Sequence, residues 1–176
     1  MSKPKPTGSL RGNDLIVTRT FKAPIADVWE SITKSERTER WFGRWEGDAR
    51  VGNTIKLLMV FEKGDSWIDV TINKCEAPHH LDVTSKSDFG ESRYEIRLRE
   101  GNGTTFLEFA HHLTDEKRKM VGDFGPGWEY YFDMLVHAWR WTGDERLETI
   151  LRPALELHLE WQQECFDPDN DGLYES

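Results

Sequence analysis

Cysteine is scarce in this sequence. Cys75 and Cys165 lie ninety positions apart, and neither belongs to a CxxC motif or to a Cys/His spacing that would suit zinc. A disulfide framework of the kind found in small secreted proteins and a structural zinc site are therefore not expected. Two reduced, buried thiols are the better interpretation.

Long apolar runs are missing as well. No stretch approaches the roughly eighteen consecutive apolar residues of a membrane-spanning helix, and the start, MSKPKPTGSLRGN, lacks the apolar core of a signal peptide. We therefore expect a cytoplasmic protein that does not insert into membranes. Because residues 1–13 are rich in Pro, Gly and Lys, they are predicted to form a flexible tail.

The chain also lacks an excess of positive charge. Its 32 acidic and 23 basic side chains give a formal net charge of -9, and the Lys and Arg residues are scattered rather than clustered. Such a surface repels the phosphates of a nucleic-acid backbone. Nucleic acid is therefore not expected as a partner.

Motifs for nucleotide, nucleophilic or metal chemistry are equally absent. There is no P-loop, no GxSxG and no GxGxxG following a strand. Within the pairs His79-His80 and His111-His112 the side chains project to opposite strand faces, so neither pair can chelate one ion. Residues 167–172 resemble the start of a calcium loop but lack the closing Glu. We predict no metal and no cofactor.

Aromatic side chains, in contrast, are plentiful. Eight Trp and nine Phe occur in 176 residues, a length typical of one domain. A chain of this size can bury a substantial core. Trp29, Trp41 and Trp45 fall close together, and they raise the question of whether these rings form a core or a binding surface.

The first half of the chain predicts a strand followed by two short helices. Residues from Asp14 alternate between apolar and polar side chains, as in a half-buried strand. Pro24 then suits the start of a helix whose apolar residues recur at steps of three and four. Ser35 is the predicted N-cap of the second helix, which ends at Gly43.

The second half predicts antiparallel strands and then a long helix. Five alternating segments joined by short turns extend from residue 53 to residue 113. Their clearest inward positions are Tyr94, Ile96, Leu98, Leu107, Phe109 and His111. A long amphipathic helix is predicted to start at Pro126 and to present an apolar stripe to the sheet.

This order predicts an α+β helix-grip fold, in which a curved antiparallel sheet wraps around one long helix. We assign the domain to residues 14–142. A helical C-terminal extension interrupted by Pro153 is predicted at 143–166, and an acidic tail at 167–176.

One segment carries a resemblance to a known family. FKAPIADVWESITKSERTERWFG is similar to the N-terminal signature of the START-like, or SRPBCC, superfamily, in its branch of activator of heat shock protein 90 ATPase homologues. The matching residues are Phe21, Ala23, Pro24, Val28, Trp29, Thr33, Trp41, Phe42 and Gly43. His111 and the Gly127-Trp128 pair match later features of that branch. The resemblance covers about residues 14 to 140; it implies the helix-grip scaffold and carries over no catalytic residue.

The space between the sheet and the long helix is the predicted binding site. An apolar or aromatic, lipid- or polyketide-like molecule would fit there, with Tyr94 and His111 as its polar groups. The predicted lining is Trp41, Leu57, Met59, Phe61, Tyr94, Phe109, His111, Trp128, Tyr131, Phe132 and Leu135. The sequence leaves open whether these side chains instead fill the space, and whether His111 is a satisfied core histidine.

Several functions therefore remain open. The first is cofactor-free small-molecule binding, with catalysis, if there is any, resembling that of polyketide cyclases and assisted by His111 or Tyr94. The second, implied by the resemblance alone, is a co-chaperone-like module that binds a chaperone. Self-association through Leu155, Leu159 and Trp161 is the third. An open apolar cavity would favour the first function, and a filled one with an exposed aromatic patch the second.

Overall fold

A computed structural model describes residues 7–59, 67–87 and 90–140, without the side chains of residues 123, 124, 139 and 140. The strands are β1 (Ser9–Arg11), β2 (Asp14–Phe21), β3 (Gly43–Glu46), β4 (Thr54–Met59), β5 (Trp67–Glu76), β6 (His80–Ser87), β7 (Gly90–Gly101) and β8 (Thr104–His112). The helices are α1 (Ile25–Thr33), α2 (Ser35–Thr38), α3 (Asp115–Arg118) and α4 (Val121–Arg140).

The described strands form one antiparallel sheet. Its order is β1-β2-β8-β7-β6-β5-β4-β3, so β1 and β3 are the edges. Strands β4 to β8 are neighbours in chain order because short connections favour antiparallel pairing of consecutive strands, and β2 closes the arrangement by pairing with β8. The predicted α+β architecture with a curved antiparallel sheet is confirmed.

The inner face of the sheet follows the predicted alternation. Leu107, Phe109 and His111 are almost fully buried, at 1%, 2% and 1% exposure. Side chains two residues apart share a face of a strand, and register partners lie side by side. The register pairs Tyr94 with His111, Ile96 with Phe109, and Leu98 with Leu107.

The predicted N-terminal tail needs a correction. Ser9–Arg11 is a strand that pairs antiparallel with Asp14–Ile16. The backbone N–H groups of Thr7 and Gly8 also donate hydrogen bonds to the Glu129 carboxylate. Composition could not reveal that this segment is ordered, because contacts with β2 and α4 hold it in place rather than apolar surface of its own.

The predicted helix starts need corrections too. Ser35 is the first residue of α2 rather than its N-cap; its hydroxyl instead donates to the Trp45 carbonyl at 2.6 Å and accepts from the Trp45 N–H at 2.8 Å, which anchors β3. Helix α4 begins at Val121, so Pro126 lies inside it. Local preferences of this kind are weak priors, and tertiary packing overrides them.

Parts of the prediction lie outside the described residues. These are Phe61, the helical extension at 143–166 and the acidic tail at 167–176. Among the described helices, none is both long and apolar enough to cross a membrane.

A charged contact joins α4 to the inner face of the sheet. Arg19 occupies an inward position of β2, between Val17 and Phe21, and its side chain is only 9% exposed. Its guanidinium lies 2.6 Å from a carboxylate oxygen of Glu129 and 2.8 Å from one of Asp133. A largely buried Arg that donates several charge-assisted hydrogen bonds fixes the position of its partners. Arg19 therefore holds α4 on β2.

We expect Arg19→Met to lower the free energy of unfolding by about 2 kcal/mol, because it leaves Glu129 without its cation in a largely dry environment. Urea unfolding followed by Trp fluorescence measures this. Arg11→Met is the matched control, since Arg11 is 67% exposed and its pair with Glu108 is solvent-screened. Equal losses in the two variants would show that Arg19 contributes no more than a surface ion pair.

Candidate functional site

A cavity of about 350 Å³ lies between the inner face of the sheet and the helices. A space of this size matches the smaller of the pockets that hold drug-sized ligands. Its wall is almost wholly apolar. The lining residues are Trp29, Ile32, Thr33, Thr38, Trp41, Phe42, Trp45, Ala49, Ile55, Leu57, Val70, Ile72, Cys75, Leu81, Val83, Tyr94, Ile96, Phe109, Trp128 and Phe132.

The tryptophans of the N-terminal region belong to both core and cavity. Trp29 and Trp41 are 9% and 4% exposed, yet both line the cavity. Trp41 is oriented by its indole N–H, which donates to the Ser31 carbonyl at 2.9 Å. Trp45, on the edge strand β3, is partly buried and also lines the cavity. The rings are thus core residues that leave one surface open to the cavity.

Helix α4 contributes two rings from one face. Trp128 and Phe132 are separated by about one helical turn, so their side chains lie above one another. Both pack on Phe109 of β8, with ring centroids 4.4 Å and 4.9 Å apart. Phe42, after α2, stacks on Trp128 at 6.0 Å. These contacts hold the aromatic part of the wall in one arrangement.

Tyr94 supplies an uncommitted hydroxyl to this wall. Two other hydroxyl groups of the lining already bond to backbone: Thr33 donates to the Trp29 carbonyl at 2.7 Å, and Thr38 to the Ser35 carbonyl at 3.2 Å. Among the described residues, none forms a hydrogen bond with the Tyr94 hydroxyl. A half-buried phenol of this kind can orient a ligand that carries a carbonyl or hydroxyl group.

Cys75 is the sulfur-bearing residue of the lining, and it is exposed rather than buried as predicted. Partial desolvation still raises the pKa of its thiol above the ordinary value. The thiol rather than the thiolate is therefore the form present at neutral pH, and a thiol is a poor nucleophile. We assign Cys75 a place in the wall and no chemical role.

His111 lies behind the wall. It is 1% exposed, and it contacts Tyr94 with ring centroids 4.7 Å apart. The indole N–H of Trp128 donates to its Nδ1 at 3.3 Å, so the neutral ring carries its proton on Nε2. Burial, with smaller contributions from Lys117 and His112, lowers the pKa of His111 to about 4. The ring is neutral at pH 7 and orients Trp128.

The structure brings together only part of the predicted lining. Six predicted residues reach the cavity: Trp41, Leu57, Tyr94, Phe109, Trp128 and Phe132. Four others do not line it. Met59 packs against the buried residues Ile55, Leu57, Val70 and Ile72, and Tyr131 contacts Phe42 edge to face. His111 accepts a hydrogen bond from Trp128, and Leu135 is 1% exposed.

Sequence reasoning also missed lining residues on β4, β5 and β6. Ile55, Val70, Ile72, Leu81 and Val83 belong to the wall. The signal that could have identified them is the same two-residue alternation that placed Tyr94 and Phe109 on the inner face. Thr33 and Thr38, at the ends of short helices, had no comparable signal.

The chain is similar to a known protein family and to several solved structures. The family model described as Activator of Hsp90 ATPase homolog 1-like protein matches residues 22–140. The crystal structure of CalU16 from Micromonospora echinospora is 26% identical and superposes with a TM-score of 0.64, covering 85% of this chain and 84% of that one. No functionally curated protein matches the sequence.

Two more distant structures share the fold. DynU16, a protein of the dynemicin biosynthetic locus, is 19% identical with a TM-score of 0.67; the match covers 75% of this chain but only 49% of DynU16. MLL2253 from Mesorhizobium loti is 18% identical with a TM-score of 0.65, covering 74% of this chain and 98% of that one.

Proposed function

The chain belongs to the family of Activator of Hsp90 ATPase homolog 1-like proteins within the START-like superfamily, and from this premise we propose that it is a small-molecule binding protein. Its ligand lies between the sheet and α4. The observation that carries the proposal is the cavity of about 350 Å³, which is open although more than half a dozen large rings surround it. Well-packed protein cores leave few voids larger than a water molecule, so a space of this size favours a ligand site.

The wall selects the chemical class of the ligand. The described lining contains no Lys, Arg, Asp or Glu, and a charged ligand would lose its hydration there without compensation. Flat rings can stack against Trp128 and Phe42, and a carbonyl can accept from Tyr94. The ligand is accordingly a neutral aromatic or lipid-like molecule. Polyketide-like compounds, which the superfamily resemblance implies, belong to this class, and DynU16 comes from the dynemicin biosynthetic locus.

Binding rather than catalysis is the role that this geometry supports. A proton-transfer group must come within hydrogen-bond reach of the reacting atom, and His111 is buried, does not line the cavity and accepts a hydrogen bond from the Trp128 indole. Tyr94 remains as an orienting group. Any cyclase-like reaction would therefore depend on the conformation in which the cavity holds a reactive ligand.

The co-chaperone alternative rests on family membership alone. A chaperone-binding surface would present an exposed apolar patch, yet the large exposed apolar side chains of the described residues are distributed over several elements. They are Leu10, Val51, Trp67, Phe106 and Met120. The open cavity therefore favours the small-molecule function.

We expect Tyr94→Phe to weaken binding of a carbonyl-bearing ligand by roughly 2- to 12-fold, the value of one net hydrogen bond. The probes are a hydroxyanthraquinone and a fatty-acid methyl ester, which is neutral and carries a carbonyl; each is titrated while intrinsic Trp fluorescence and melting temperature are followed. The stability of the unliganded protein should hardly change, because the hydroxyl has no hydrogen-bond partner among the described residues.

Tyr131→Phe is the matched control, since Tyr131 lies on α4 but does not line the cavity. Its affinity for the probes should equal that of the wild-type protein. Equal affinities of all three proteins would remove Tyr94 from the site. If no probe caused a thermal shift or fluorescence quenching, that result would count against the small-molecule function itself.

A further inference from the structure

The outer face of the sheet carries a polar cluster remote from the cavity wall. Leu81 of β6 lines the cavity, so its neighbours His80 and Asp82 project to the opposite face. Glu95 of β7 alternates with Tyr94 and lies on that face too. The side chains of His80, Asp82 and Glu95 are only 9%, 5% and 15% exposed. Such burial is rare for residues of these types unless they are paired.

Asp82 and Glu95 are direct register partners on neighbouring antiparallel strands. Like charges in such positions repel, and burial increases the cost. The cluster therefore requires positive charge. Although burial of Asp82 opposes ionisation, hydrogen bonds from Arg93 and Asn73 lower the pKa of this carboxyl, so it is a carboxylate at neutral pH.

Two arginines supply the positive charge in the present arrangement. The guanidinium of Arg93 donates two hydrogen bonds to Asp82, at 3.1 Å and 2.6 Å, and Arg97 donates to Glu95 at 3.1 Å. These arginine side chains are 54% and 53% exposed. The carboxylates are thus fixed and dry, whereas their counterions extend to solvent and can rotate away.

The imidazole of His80 lies close to two carboxylates, those of Glu76 and Glu95. Its Nε2 has no hydrogen-bond partner among the described residues and faces a Glu95 oxygen 3.4 Å away. A buried nitrogen without a partner is costly. His112 repeats the arrangement: its Nδ1 donates to Asp14 at 2.7 Å, and its Nε2 lies 4.0 Å from Glu95.

We propose that His80, Asp82 and Glu95 form a binding site for a divalent transition-metal ion such as Zn²⁺, which replaces the Arg93 guanidinium. Their ligand atoms all lie within 4.8 Å of one another. Bonds to zinc of about 2.0 to 2.2 Å need only small side-chain rotations from there. One imidazole and two carboxylates suit Zn²⁺ and its first-row neighbours better than Ca²⁺ or Mg²⁺, which prefer oxygen ligands alone.

The proposed site departs from the expectation of no metal. Adjacent residues such as His79 and His80 cannot share an ion when their side chains project to opposite faces. The cross-strand register instead brings His80 and Asp82 of one strand to Glu95 of the next. A dication by itself balances the two carboxylates, so Asp82 and Glu95 remain neutralised when the Arg93 guanidinium leaves.

The test is calorimetric titration of the untagged, metal-free chain with Zn²⁺, repeated with Co²⁺ to record the absorption bands of the bound ion. We expect one ion per chain. His80→Ala should weaken binding by at least about 100-fold, whereas His79→Ala, the matched control at an exposed neighbouring histidine, should leave it unchanged. Glu95→Gln, which keeps the side-chain volume, should weaken binding similarly and serves if His80→Ala does not fold.

Arg93→Met separates the metal site from an ion-pair network. Removal of the competing guanidinium should tighten Zn²⁺ binding, although it removes two hydrogen bonds from the unliganded cluster. The proposal is overturned if the wild-type chain binds no stoichiometric Zn²⁺. It is equally overturned if His80→Ala and His79→Ala bind Zn²⁺ as well as the wild-type chain does.

Discussion

Replacement of Phe132 by alanine is expected to lower the free energy of unfolding by about 3 to 5 kcal/mol. Phe132 is 1% exposed, and its ring contacts Trp41, Phe109 and Trp128 with centroid separations of 5.8, 4.9 and 6.3 Å. The substitution removes a buried ring and enlarges a space that is already empty. Because the surrounding rings hold one another in place, they cannot collapse into the gap.

Guanidinium unfolding at equilibrium measures this loss. Phe106→Ala is the matched control, because Phe106 belongs to β8 but is 52% exposed; its cost should stay within about 0.5 kcal/mol. A loss below about 1 kcal/mol for Phe132→Ala would mean that the ring faces solvent in an open pocket rather than packing as core. The variant should also accept bulkier aromatic probes, since its cavity is larger.

The second large effect is a loss of stability at acidic pH through His111. Its pKa falls from 6.5 to about 4 on folding, chiefly because the ring is buried. Between these values the unfolded chain binds more protons than the folded chain, so lowering the pH favours unfolding. This group should cost about 3 kcal/mol when the pH falls from 7 to 4, and little further below that.

His111→Gln removes the titrating group while its side-chain oxygen can still accept from the Trp128 indole. Urea unfolding of both proteins between pH 7 and 4 isolates the contribution of His111, because carboxylates that titrate in this range contribute equally to each. We expect the free energy of unfolding of the wild-type protein to fall more steeply with decreasing pH than that of His111→Gln. The difference between the two slopes should correspond to about one bound proton. Parallel pH profiles would show that His111 titrates normally in the folded protein.

Some of the fold was readable from local pattern. The strands around Tyr94 and Phe109 were predicted because apolar residues two positions apart must share a face of a half-buried strand. The order of the predicted elements indicated a helix-grip arrangement, and the family resemblance implied the same scaffold. Failures arose where a residue's role depends on distant partners, as for the start of α4 and for Ser35, whose hydroxyl bonds to Trp45 rather than to its own helix.

The lining of the candidate site was likewise predicted only in part. Tyr94, Phe109 and Trp128 were predicted from their inward positions, and Trp41 from its place at the end of the second short helix; all four line the cavity. An inward position alone cannot tell which ring meets the cavity and which lies behind another. His111 was therefore assigned to the ligand, although the Trp128 indole stands in front of it.

By itself, the sequence determined the class of the domain, the order and faces of its main strands, and the apolar character of its interior. These properties follow from the two-residue and 3.6-residue periods, which act over a few neighbours along the chain. The tertiary structure decided the rest. Only it decided that Arg19 anchors α4, that the rings leave a cavity, and that His80, Asp82 and Glu95 converge. Each of these depends on side chains that long-range pairing brings together, and no local period records such pairing.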